Sequence, residues 1–222
     1  MKRYTDTTSS MKERNLNLTR RHFVASAGIT PLALGAAGAV MAPSLAHAGV
    51  GDILENDTVM GDAKAPIGLV EYASLTCPHC ADFHNAALAE IEENYIKTGK
   101  AFLIYRDFPL DRYAFQASVL AHAAGKQRFF SVLKILFEKQ NEWARASDPT
   151  AALLKIGKMV GVSKAKFEAS LADEKLGESI LTDRMVGANE YGVNSTPTLF
   201  INGEKYEGSR DYSTLDAFMK DL

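Results

Sequence analysis

The sequence predicts an α/β chain with an all-helical domain inserted into it, and three stretches carry that reading. An apolar run, Ile67 to Tyr72, leads through Cys77-Pro78-His79-Cys80 into a helical pattern. From Arg112 to about Tyr191 the periodicity is helical throughout. The chain then returns to strand at Thr198-Leu199-Phe200-Ile201, turns at Asn202-Gly203 and closes on an amphipathic helix. With 222 residues, 46% hydrophobic and 23% charged, it has the composition of a globular protein with one full core and an elaboration.

Residues 1 to 48 read as a segment apart. Thr19-Arg20-Arg21-His22-Phe23-Val24 is a twin-arginine pattern, an alanine-rich run continues to Leu45, and Ala46-His47-Ala48 is a small-x-small cleavage signal. The expectation is a Tat-type signal peptide cut after Ala48, which would deliver the rest to the periplasm. A membrane anchor is the competing reading, since Phe23 to Leu45 is nearly long enough to span. Pro31, Pro43, three glycines and the dominance of alanine over leucine make it a poor permanent span. The first 48 residues hold six basic and two acidic side chains, so the remainder carries 19 against 25 and a formal charge of −6. That balance argues against nucleic acid or an anionic membrane surface as a partner.

Residues 49 to 64 show little pattern beyond Thr58-Val59-Met60, enough for a short edge strand at most. Ile67 to Tyr72 is apolar on both alternating faces, as in a central strand covered on both sides. After the cysteines, Phe83, Ala87, Leu88, Ile91 and Tyr95 recur at spacings of three and four, which predicts one helix ending near Gly99. Ala101 to Tyr105 is a second buried strand, closed by Arg106-Asp107-Phe108-Pro109.

The helical stretch divides at Gly125, Asp148-Pro149, Gly161 and Gly192 into candidates at Ala114 to Ala124, Phe129 to Phe137, Ala151 to Val160, Lys164 to Leu171 and Ile180 to Glu190. Trp143 falls in a connection, where packing is the plain reading and substrate contact the sharper one. Thr198 to Ile201, Asn202-Gly203 and Glu204 to Gly208 form a hairpin signature suited to a type I′ turn. Leu215, Phe218, Met219 and Leu222 mark the last helix.

Both cysteines of the chain lie in Cys77-Pro78-His79-Cys80, at a strand-to-helix junction. That placement reads as a redox dithiol, because unpaired N–H groups and the positive end of the helix dipole favour an anion at Cys77. Pro78 at the first helical position loses no hydrogen bond. Cys80, one turn in, is expected to be the more buried, resolving thiol. A zinc site needs about four ligands, and this pair supplies half of them even with His79 and His84 nearby. A structural disulfide across so short a loop removes little entropy from the unfolded chain. Glu71, a carboxylate near the end of an otherwise apolar strand, is either solvated there or buried beneath the dithiol to move its proton.

The order strand, Cys-x-x-Cys helix, strand, helices, hairpin, helix is a thioredoxin fold interrupted by helices. The expected division is 49–111 with 192–222 for the thioredoxin-fold domain and 112–191 for the insertion. Over most of residues 58 to 222 the chain resembles the DsbA-type periplasmic thiol-disulfide oxidoreductases, through Cys77-Pro78-His79-Cys80, Arg106-Asp107-Phe108-Pro109 and Thr196-Pro197-Thr198-Leu199-Phe200-Ile201-Asn202-Gly203.

The resemblance implies a cis bond before Pro197, facing the disulfide, and pairing of the Thr196 backbone with an extended substrate. It also implies a thiolate-stabilising role for His79 and the buried acid's role for Glu71. Threonine before the cis-proline departs from the aliphatic residue of the family's best-known member. The function implied is an exported oxidase that puts disulfides into cysteine-containing proteins and is reoxidised by a membrane quinone-linked partner. It would work as a monomer, with no metal and no cofactor. The alternatives are an isomerase or reductase of the same fold, which Thr196 favours, and a metal-binding or copper-handling module.

Overall fold

The computed structural model describes residues 49–222. The twin-arginine segment and its cleavage signal lie outside the described residues. Five strands form one sheet in the order β1-β3-β2-β4-β5. They are β1 Val59–Gly61, β2 Ile67–Ala73, β3 Ala101–Asp107, β4 Thr198–Ile201 and β5 Glu204–Tyr206. β2 runs parallel to β3 and antiparallel to β4, so it is central, as its two apolar faces require. Its alternation divides the core. Ile67 and Leu69 pack with Phe83, Leu88, Leu199 and Leu215 on one side, while Val70 and Tyr72 pack with Phe102, Phe108 and Phe200 on the other. Glu71 shares the face of Leu69 and Ala73.

The single helix expected from Cys77-Pro78 to near Gly99 is divided in three. α1 Pro78–Asn85 and α2 Ala87–Ile91 meet at Ala86, whose φ of −120° and ψ of −85° leave the helical region, and Glu92–Ile96 is a π-helical turn. The apolar spacing survives because the break reorients the axis without exposing Phe83, Leu88 or Ile91. The residue before the break is Asn85, a weak helix former whose amide donates instead to the Phe137 carbonyl at 3.4 Å.

Six α-helices and a 3-10 turn at Lys126–Arg128 lie between β3 and β4: α3 Arg112–Ala123, α4 Phe129–Glu138, α5 Gln140–Trp143, α6 Pro149–Met159, α7 Lys164–Leu171 and α8 Glu174–Asn189. α8 begins six residues earlier than its apolar period suggests, because its first turn is polar and is capped by Asp173, which accepts from the N–H groups of Lys175 and Leu176. Gly187 lets α8 lie on the sheet, since a Cβ there would stand 2.7 Å from the Tyr72 ring. α5 was not expected. Trp143 is 1% exposed and its indole donates to the Leu136 carbonyl at 2.8 Å, so it is a packing residue and not a substrate contact.

The hairpin turn has Asn202 at φ 49° and Gly203 at φ 83°, the left-handed pair that a type I′ turn requires. α9 Tyr212–Lys220 closes the chain, burying Leu215 and Met219 while Phe218 stays 40% exposed. Among the described residues no helix is long and apolar enough to cross a membrane.

Candidate active site

β2 ends at Ala73, and the loop Ser74 to Thr76 delivers Cys77 to the N-cap of α1 with φ −80° and ψ 119°. Pro78 occupies the first turn, as its fixed φ and missing N–H allow. The cysteines are free thiols, Cys77 7% exposed and Cys80 fully buried.

The Cys77 thiol is pulled down from 9.0 to about 5. Hydrogen bonding from the Cys80 thiol is the largest cause; burial opposes it, and the Thr196 side chain and the N–H groups of Cys80 and His79 add to it. The Cys80 thiol is pushed well up, first by burial, then by the Cys77 sulfur and the charge of Glu71. At neutral pH the pair therefore holds one proton, on Cys80, with Cys77 a thiolate.

The loop before β4 faces Cys77. The Thr196–Pro197 peptide bond is cis, and the Cys77 thiol donates to the Thr196 carbonyl at 3.3 Å. The Thr196 hydroxyl is buried with no partner, which leaves it available to a thiolate. A groove of about 480 Å³ runs from there, lined by His79, Asp82, Phe83, Thr196, Pro197 and Tyr212.

His79 and Glu71 are placed differently from each other. The His79 side chain is 84% exposed and 4.0 Å from Asp82, so what reaches the sulfur is its backbone N–H. Glu71 is 0% exposed, which removes the solvated alternative. Its Oε2 lies 2.8 Å from His84 Nε2, and its Oε1 has no partner.

Two contributors were not singled out from the sequence for their part in this site. From the sequence His84 reads only as a candidate metal ligand, although its position four residues after Cys80 puts both on one helical face. Gln140, 63 residues from Cys77, donates its buried amide to the carbonyls of Leu75 and Cys77, both at 2.9 Å. No local pattern marks it. On the far side of the loop, Thr76 donates to Asp111 at 2.6 Å, tying it to the cap of α3.

Comparison with known proteins agrees with this architecture. Residues 54–221 match the family described as thioredoxin. The crystal structure of alpha-DsbA1 from Wolbachia pipientis is similar with a TM-score of 0.71 and 32% identity, over 77% of this chain and 92% of that one. BdbD from Bacillus subtilis, at 19% identity and a TM-score of 0.67, shares the fold. A Rickettsia bellii protein provisionally named a protein-disulfide oxidoreductase is 31% identical over 154 residues, which is 69% of this chain and 60% of that protein. The chain spans 54 to 60% of the length of the first curated relatives it matches.

Proposed function

Because the chain belongs to the thioredoxin family, and within it to the DsbA-type proteins, we propose that it is an exported dithiol oxidase that introduces disulfides into cysteine-containing proteins. The observation that carries this is the Cys77 thiol, brought down to about 5 at the start of α1. A thiolate stabilised in the reduced protein makes the disulfide easier to reduce, by about 1.4 kcal/mol or about 30 mV for each pKa unit. That is the poise of a donor of disulfides.

In the proposed cycle a substrate thiolate attacks Cys77 Sγ of the disulfide, and the electron pair of the broken bond stays on Cys80, which takes a proton. A second substrate thiolate then attacks the substrate sulfur of the mixed disulfide and releases Cys77 as a thiolate. Thr196 and Pro197 hold the extended substrate beside Cys77, and the groove past His79 takes its flanking residues. Residues 49–111 with 192–222 form the catalytic domain and 112–191 the insertion, which supplies Gln140. A membrane quinone-linked partner restores the disulfide, and the protein acts as a monomer in the periplasm after loss of residues 1–48.

Thr196 supports a second reading, an isomerase kept reduced. Equilibration with glutathione separates the two. A potential near about −120 mV fits the oxidase, whereas one near about −180 mV or below moves the assignment to isomerase or reductase.

A further inference from the structure

The thiol that must change its protonation state during exchange is one that solvent does not reach. Cys80 is 0% exposed and held protonated by its surroundings. When the Cys77–Cys80 bond opens, the electron pair left on Cys80 has to be matched by one proton. The proton that the substrate thiol gave up is in bulk water, which does not touch Cys80. Glu71 lies on the face of β2 beneath the dithiol, and its charge acts on Cys80, but at 0% exposure it cannot exchange with water directly.

His84 completes the connection. Its Nε2 is 2.8 Å from Glu71 Oε2, and its ring is held flat against Phe137, with centroids 3.9 Å apart. The same side chain, 6% exposed, lines a cleft of about 160 Å³ together with Met60, Leu88, Phe130, Ser131 and Lys134. This cleft shares no lining residue with the groove beside Cys77. A bound substrate that fills the groove therefore leaves the cleft open.

We propose that His84 is the solvent-side member of a proton relay, running from the cleft through His84 and Glu71 to Cys80, that protonates Cys80 as the disulfide opens and deprotonates it as the disulfide closes. This deepens the thiol-disulfide reading above and rests on it. On opening, the proton shared by the carboxylate and the imidazole passes to the Cys80 sulfur, and the pair refills with one proton from water in the cleft. One proton enters, one sulfur is protonated, and no other group changes state. Closure runs the same path backwards.

The groups around the relay are few. Glu71 faces His84 from β2, Cys80 lies one turn back on α1, and the Tyr105 ring of β3 is 6.1 Å away. Glu92 and Lys134 stand at the cleft. Stacking on Phe137 fixes the ring orientation, so a hydrogen bond to Glu71 on one edge leaves the remainder of the ring to the cleft. His84 acts through Glu71 and is a positioning and relay residue.

The test is the rate at which the oxidised full-length protein opens its disulfide on mixing with glutathione, read by acid quench and mass of the adduct. His84→Gln keeps a donor for Glu71 but cannot accept a proton and pass it on. It is expected to slow opening about tenfold or more, with a solvent deuterium effect absent from the wild type. Added imidazole should restore the rate, and the equilibrium with glutathione should stay unchanged. Ser131→Phe, which leaves the pair intact and narrows the cleft, should slow opening without rescue, and it serves where His84→Gln does not fold.

An unchanged rate in either folded variant overturns the relay. So does a slowed rate in His84→Gln that imidazole does not restore and that comes with a shifted equilibrium, since that pattern belongs to a structural role. A wild-type protein that does not react with glutathione would instead sink the thiol-disulfide reading itself.

Discussion

The side-chain amide of Gln140 donates to the carbonyl of Cys77 at 2.9 Å, so the helical insertion holds the residue before Pro78 from behind. The same amide holds Leu75, and both bonds are buried. Cys77 thus holds its sulfur against Thr196, a residue of the groove, from a loop fixed on two sides.

Replacing Gln140 with alanine removes both donors and leaves two buried carbonyls unpaired. The expected cost is about 1–3 kcal/mol. Urea unfolding of Gln140→Ala should find it in the reduced and the oxidised protein alike, because the bonds are to backbone. A loss confined to one redox state would contradict that account.

Trapping should separate the two cysteines. With Cys77 at the groove and Cys80 fully buried, Cys80→Ala should accumulate mixed disulfides with substrate proteins, and Cys77→Ala should form none. Non-reducing gels of cells expressing each variant read the difference, and adducts that follow Cys80 would reverse the roles.

Linkage predicts how stability depends on redox state. The folded Cys77 thiol lies at about 5, below its ordinary 9.0, so it contributes stability that is full above 9.0 and is lost as pH falls through 5. Only the reduced protein has this contribution, worth about 1.4 kcal/mol for each unit by which pH exceeds the folded value. Cys80, whose thiol is raised, stays protonated in both folded and unfolded states below 9.0 and adds nothing there. Denaturant curves at pH 7 should find the reduced form the more stable, with the gap closing toward pH 5. A more stable oxidised form at pH 7 argues against the oxidase.

Arg106 carries a different load. Only 1% exposed, it pairs with Asp57 at 2.9 Å, donates to the carbonyls of Val50 and Asp52 at 3.0 and 2.8 Å, and donates to the Tyr72 hydroxyl at 3.3 Å. It pins the leading segment across the face of the sheet that carries Tyr72. Asp57→Asn leaves that guanidinium without its counter-charge and should cost about 3–5 kcal/mol. Thermal unfolding of the variant measures it, and a change under about 1 kcal/mol, the range of an exposed pair, would place the ion pair at the surface energetically.

The proposed export is testable at the twin-arginine pattern, Arg20 and Arg21. Exchanging both for lysine should strand full-length protein in the cytoplasm, where cell fractionation would find it; normal delivery to the periplasm would remove the Tat assignment.

The sequence by itself determined what depends on near neighbours along the chain. The apolar alternation of β2 is local, as are the Cys77-Pro78 helix start, the Asn202-Gly203 turn and the periods of α3, α4, α6 and α7, so each could be read from a few residues. The limits of that reading are equally physical. A periodicity of three and four survives the break at Ala86, so it predicted one helix where the structure has two and a π turn. A polar first turn hid the start of α8, because there the cap and not the apolar face begins the helix.

Only the tertiary structure decided who stands next to whom across the fold. It turned the His79 ring into solvent, gave Glu71 its partner His84, brought Gln140 to the back of Cys77, and set Thr196 against the sulfur. Of these, Thr196 bears on the Cys77 thiol and Glu71 on the Cys80 thiol, beside burial and the two sulfurs' own contact; a hydrogen bond or a buried charge depends on separation in space, which residues 63 or 119 positions apart do not encode locally.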